Sequence, residues 1–245
     1  MAEFRDGKLK IDSKRSALEA LLDISIVAML TVLFAFNKQV EGENYIYYIT
    51  FFAVIGLSFL VSILGRATVS VKLPTIWYGV FIVLCALSSV WALYDPNLSL
   101  RYISRMVQVL FICFCITLYI KTREDFERFT MLFTAAVMIM IFSVFVRTPY
   151  ALWFSGFFGR INNENVTGNN INTLAYICVV AVAISFCKAY YYKKRAYYLC
   201  TAFELLYIVL SSSRKALFIV AFLLFAMLIF LSLIHISEPT RHAQI

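Results

Sequence analysis

Apolar and polar positions fall in long alternating blocks. Eight apolar runs stand out: 17–36, 45–64, 74–94, 103–120, 129–146, 171–189, 196–212 and 215–231. Most approach the roughly 20 residues a helix needs to cross a hydrocarbon core about 30 Å thick. The last two are short, which a small tilt or a locally thin bilayer accommodates. They flank Ser211-Ser212-Ser213-Arg214-Lys215. One helix running through both would measure about 50 Å at 1.5 Å per residue. The chain is therefore predicted to turn at the serines, with Arg214 at a membrane–water boundary. The pattern predicts an all-α fold, a polytopic transmembrane helical bundle of about eight spans.

Composition narrows the function classes. The chain is 62% hydrophobic and only 15% charged, against about 25% charged in a soluble domain. No charged stretch is long enough for a separate soluble domain. Residues 1–16 are polar and of mixed charge, and no small-residue cleavage site follows, so the first span reads as retained rather than as a signal peptide. The six cysteines lie in or beside apolar runs and suit membrane packing, not a secreted disulfide framework. No P-loop, dinucleotide fingerprint, HExxH or Cys/His metal spacing is present. No cofactor, no metal and no nucleic acid is expected as a partner, and a reaction would draw its energy from the substrate itself.

Orientation follows from the basic residues. One set of alternate loops holds Arg5, Lys8, Lys10, Lys14, Arg15, Arg66, Lys72, Lys121, Arg123, Arg128, Lys188, Lys193, Lys194 and Arg195; the other holds Lys38, Arg101, Arg105, Arg147, Arg160, Arg214 and Lys215. The 14 against 7 places the N-terminus and the end of the eighth span in the cytoplasm. The longest internal loop, 147–170, is then extracytoplasmic. Long loops carry function more often than short ones.

The outer side gathers candidate binding groups. Arg101 and Arg105, four apart, share a helical face. Arg160 stands in the long loop, and Arg214 with Lys215 on the last outer turn. Together they suit a basic mouth, since guanidinium groups grip phosphate oxygens in bidentate fashion. For Arg101, Arg105 and Lys215 the competing reading is a cation that only snorkels to lipid phosphates. Glu204 falls mid-span, where an ionised acid costs about 2.5 kcal/mol or more. It is expected to be protonated, or paired with a basic residue on a neighbouring helix. Asp23 reads as structural.

Two stretches carry a resemblance. Gly159-Arg160 is followed by Gly168-Asn169-Asn170-Ile171-Asn172-Thr173-Leu174-Ala175, which opens a span; a later span ends in Leu210-Ser211-Ser212-Ser213-Arg214-Lys215-Ala216. Over about residues 156–225 this resembles the conserved core of the O-antigen ligase and O-antigen polymerase superfamily. Lys215 stands where that family carries a small glycine. Over the first five spans the likeness is one of hydropathy profile. The resemblance implies a helical, multi-pass enzyme of the bacterial plasma (inner) membrane. Such an enzyme transfers an undecaprenyl-diphosphate-linked glycan to an acceptor sugar on the extracytoplasmic face, without metal or nucleotide. Its partners would be a lipid-linked oligosaccharide donor, a glycan acceptor and membrane lipids. Arg160 and Arg214 match the arginines that hold the donor pyrophosphate, with Asn170, Asn172 and Glu204 in possible support. The catalytic histidine of the family lies in a later outer loop, beyond the end of this chain.

Residues 232–245, beginning Ser232-Leu233-Ile234-His235-Ile236-Ser237-Glu238-Pro239, resemble the translation of a sequencing adapter. The expected organisation is thus a cytoplasmic segment (1–16), a transmembrane domain (17–231) that is the front part of a longer protein, and a non-native tail (232–245). Both histidines, His235 and His242, fall in that tail and are rejected as catalytic bases. As given, the chain is expected to be inactive. Two alternatives to the enzyme stay open: a transporter or flippase for a lipid-linked glycan, and a non-catalytic membrane subunit.

Overall fold

The computed structural model describes residues 17–35, 45–64, 73–89, 91, 96–152 and 171–237. Among them lie eight α-helices and no strand: α1 (Ala17–Ala35), α2 (Tyr45–Leu64), α3 (Leu73–Ser89), α4 (Pro96–Tyr119), α5 (Arg123–Arg147), α6 (Ile171–Tyr192), α7 (Arg195–Leu210) and α8 (Arg214–Ser237). A single 3-10 turn, Tyr150–Leu152, follows α5. Among the described residues, five stretches are long and apolar enough to cross a membrane: Ala17–Ala35, Tyr45–Leu64, Tyr102–Tyr119, Arg123–Arg147 and Asn172–Tyr192.

The helices match the predicted runs one for one, with boundaries moved where polar chemistry intervenes. Helix α3 stops at Ser89, short of the expected 94. There the Ser88 and Ser89 hydroxyls donate to the carbonyls of Cys85 (3.0 Å) and Ala86 (2.7 Å), and the Trp91 N–H closes onto Ser88 O (3.2 Å). Helix α4 begins at Pro96, not 103. A proline tolerates the first turn because its missing N–H would be unpaired there anyway. Helix α5 begins at Arg123, not 129, on a capping box: the Asp125 N–H donates to Thr122 Oγ1 (3.2 Å) and the Thr122 N–H to Asp125 Oδ2 (3.0 Å). Glu124 and Asp125 in its first turn complement the helix dipole. Helix α8 continues without a break past Leu231 to Ser237. Its last residue stands two positions before Pro239, and a proline disfavours helical backbone at the residue ahead of it.

The chain divides into two compact units, Met1–Ser25 with Val54–Leu118, and Ile26–Ala53 with Tyr119–Ile245. In the first, Phe59 of α2 meets Phe114 of α4 at a centroid distance of 6.0 Å, beside buried Ser58, Cys115 and Leu118. Helix α3 leaves Trp77, Phe81 and Leu84 exposed, an apolar face of the kind a membrane covers.

The second unit is built around α6, which packs on α5, α7 and α8. Ala175, Cys178, Ala181, Val182, Ser185 and Ala189 line its buried face. Their small side chains let neighbouring backbones approach, so dispersion contacts accumulate where lipid offers no hydrophobic driving force. Facing positions include Val137, Met140 and Val144 of α5, Glu204, Tyr207 and Ile208 of α7, and Ala216 of α8, all buried. Arg147 Nη1 donates to the carbonyl of Ala35 (3.3 Å). One guanidinium thereby joins the C-terminal ends of α1 and α5, where its charge suits both helix dipoles.

Candidate functional site

The best-defined candidate lies where α7 gives way to α8. The Ser211 N–H donates to Tyr207 O (2.8 Å) and the Ser212 N–H to Val209 O (3.1 Å). Ser212 has φ 53°, the left-handed conformation that commonly ends helices and that glycine adopts without cost. In the usual version of this cap the next N–H reaches back to the carbonyl that Ile208 provides here. In this chain the Ser211 hydroxyl relays that bond: it donates to Ile208 O (2.7 Å) and accepts from the Ser213 N–H (3.4 Å). A serine thus does locally what the backbone would do directly, and the turn predicted at the serines is present.

Ser213 then connects two distant stretches. Its hydroxyl donates to Asn172 Oδ1 (2.8 Å), and its carbonyl accepts the Leu217 N–H (3.0 Å) as α8 begins. The start of α6 and the α7–α8 turn are therefore held at the same end of the unit. Ser211 and Ser213 are buried; Asn172, Arg214 and Lys215 are exposed. Neither the Arg214 nor the Lys215 side chain makes a hydrogen bond or ion pair to another described residue. Two open cations consequently stand on the first turn of α8, whose unpaired N–H groups add positive potential.

The other expected site residues are placed as follows. Arg105 is exposed on α4 in the first unit and has no described partner. Arg101 lies one turn earlier on the same helix, and its side chain is outside the described residues. Arg160 and Asn170, with the rest of the long loop from 153 to 170, also lie outside them, as do residues 1–16. Glu204 is fully buried on α7. Its Oε1 accepts from the Ser185 hydroxyl of α6 (3.1 Å), and Oε2 has no hydrogen-bond partner among the described residues. The neighbouring-helix group on Glu204 is thus a hydroxyl, not the basic residue offered as one alternative. Asp23 is buried on α1.

A polar cluster at the opposite end of the second unit was not anticipated. Tyr192 Oη, at the end of α6, donates to Glu127 Oε1 near the start of α5. Arg123 Nε meets the same oxygen at 3.2 Å. Lys188 Nζ donates to the Glu127 carbonyl (2.7 Å) and stands 5.5 Å from the centre of the Tyr197 ring. The signal in the sequence was Thr122-Arg123-Glu124-Asp125, a capping box within a basic loop. It starts α5 early enough to bring Glu127 onto a helix.

Comparison with protein-family models, curated proteins and solved structures finds no match. The functional reading therefore rests on the residues and their geometry.

Proposed function

We propose that this chain belongs to a membrane glycosyltransferase that moves an undecaprenyl-diphosphate-linked glycan to an acceptor sugar on the extracytoplasmic face. The reaction is surface polysaccharide polymerisation or O-antigen ligation. In this reading all eight helices span a bacterial plasma membrane, with the N-terminus cytoplasmic. The observation that carries it is the Ser213–Asn172 hydrogen bond. It joins the two stretches on which the family resemblance rests, and leaves Arg214 and Lys215 open beside them. The donor pyrophosphate would lie at that turn, held by Arg214 and by Arg160 of the adjoining loop, with Lys215 as a further basic contact. Arginine there stabilises the charge that develops on the diphosphate as the glycosidic bond breaks. The attacking hydroxyl needs a base, for which this reading names no residue among the described ones.

The test is Arg214→Ala in the full-length protein. Glycan chain growth or ligation is expected to stop while the protein still inserts and folds. A normal glycan ladder would remove Arg214 from the mechanism.

One observation favours the carrier reading: Glu204, an acid with one oxygen unpartnered among the described residues, is buried against α6, where transport proteins place proton sites. Glu204→Gln separates the two. The transferase retains glycan transfer in that variant, whereas a proton-driven carrier loses its flux.

A further inference from the structure

The end of the second unit formed by the start of α5 and the α6–α7 turn carries a second basic surface, independent of the glycan reading. Lys193, Lys194 and Arg195 are consecutive and exposed. Lys193 holds φ 52°, a conformation unfavourable for a side chain with a Cβ, so the turn projects its cations at some local cost. No acidic residue lies in the first turn of α7 to offset them.

The nearby carboxylates are already engaged. Asp125 Oδ2 accepts from the backbone of Lys121 (3.2 Å) and Thr122 (3.0 Å). Glu127 Oε1 takes Tyr192 and Arg123. Through that shared oxygen Arg123 is brought to Tyr192, the residue that precedes Lys193 in the chain. Its side chain is nevertheless 87% exposed, which leaves the guanidinium edge open. Arg128 adds charge to the same end, buried Lys188 is committed to the Glu127 carbonyl, and Glu124 has no partner among the described residues. Phe126, Tyr191, Tyr198 and Leu199 are exposed around this surface. Aromatic rings and cations at one level are the signature of headgroup depth. An exposed apolar rim of this kind faces lipid, not a soluble polyanion.

We propose that the Lys193-Lys194-Arg195 turn, together with Arg123, binds the phosphate of an anionic glycerophospholipid in the leaflet at this end of the protein. The tyrosines flank the glycerol backbone, and the Glu127 carboxylate acts as a strut that fixes Arg123 without occupying the surface.

The experiment is a native mass-spectrometric titration of the whole chain in detergent, with dioleoylphosphatidylglycerol and dioleoylphosphatidylcholine as probes. The anionic lipid is expected to bind at least about tenfold more tightly. Each cation near a headgroup contributes about fivefold, so Lys193→Gln, Lys194→Gln and Arg195→Gln combined should weaken it about hundredfold, and Arg123→Gln about fivefold. A charge-conserving set, Lys193→Arg, Lys194→Arg and Arg195→Lys, should bind as the parent does. Equal binding of the two lipids, unchanged binding in the triple Gln variant, or loss in the charge-conserving set would each overturn the proposal. Competition by free glycerol phosphate at the same concentration would overturn the lipid assignment as well.

Discussion

The two turns of the second unit solve the same problem with different chemistry. Each reverses the chain between packed helices, each contains a left-handed residue that is not glycine (Lys193, φ 52°; Ser212, φ 53°), and each is followed by cations. The α7–α8 turn is fastened from inside, by buried Ser211 and Ser213 and by the bond to Asn172. The α6–α7 turn is fastened from outside, by Glu127 bridging Tyr192 and Arg123. Neutral hydrogen bonds anchored on buried hydroxyls keep their strength in salt, whereas exposed ionic ones are screened. One turn should therefore be rigid under all conditions and sensitive to loss of a hydroxyl. The other should yield to ionic strength and tolerate substitution.

The largest contrast is functional. Arg214→Gln is expected to lower glycan transfer about hundredfold or more, the scale of losing one stabiliser of developing charge. Arg195→Gln on the other turn should leave transfer near the parent level, as an in vitro transfer assay would read. Equal losses would erase the distinction between the turns.

Stability effects come next. Ser213→Ala removes the donor to Asn172 and should cost about 1 kcal/mol in thermal unfolding in detergent. Asn172→Ala should cost a similar amount, and the double variant little more than either single one. Full additivity would show that the two side chains do not act as a pair.

A smaller effect of opposite sign is expected from glycine. Ser212→Gly and Lys193→Gly relieve left-handed backbone and should each stabilise by about 0.5–1 kcal/mol. Destabilisation at Ser212 alone would mean that its side chain matters beyond its backbone. The smallest change is Tyr192→Phe, which removes one donor to Glu127 at the surface. Its unfolding midpoint should fall less than that of Ser213→Ala, and the deficit should shrink in added salt.

Much of this was legible from hydropathy, because a bilayer imposes block lengths that sequence cannot disguise. The turn at Ser211-Ser212-Ser213 follows from length alone. Helix starts were less legible where charge masked them. Arg123, Glu124, Asp125 and Glu127 read as loop until the Thr122 cap is recognised, and without that cap the Glu127–Tyr192 bridge has no helix to stand on. The Asn172–Ser213 bond spans distant parts of the sequence, so no local pattern foretells it. The neighbour of Glu204 is likewise a matter of packing: Ser185 is one of several small residues on α6, and only the register of α6 against α7 selects it.

The placement of the diphosphate is best tested by binding of undecaprenyl diphosphate to the purified chain, parent against Arg214→Gln, with the charge-conserving Arg214→Lys beside it. At least about tenfold weaker binding is expected for Arg214→Gln, the scale of losing a charge-assisted contact, and a smaller loss for Arg214→Lys. Equal affinity of the parent and Arg214→Gln would rule out the α7–α8 turn as the diphosphate site.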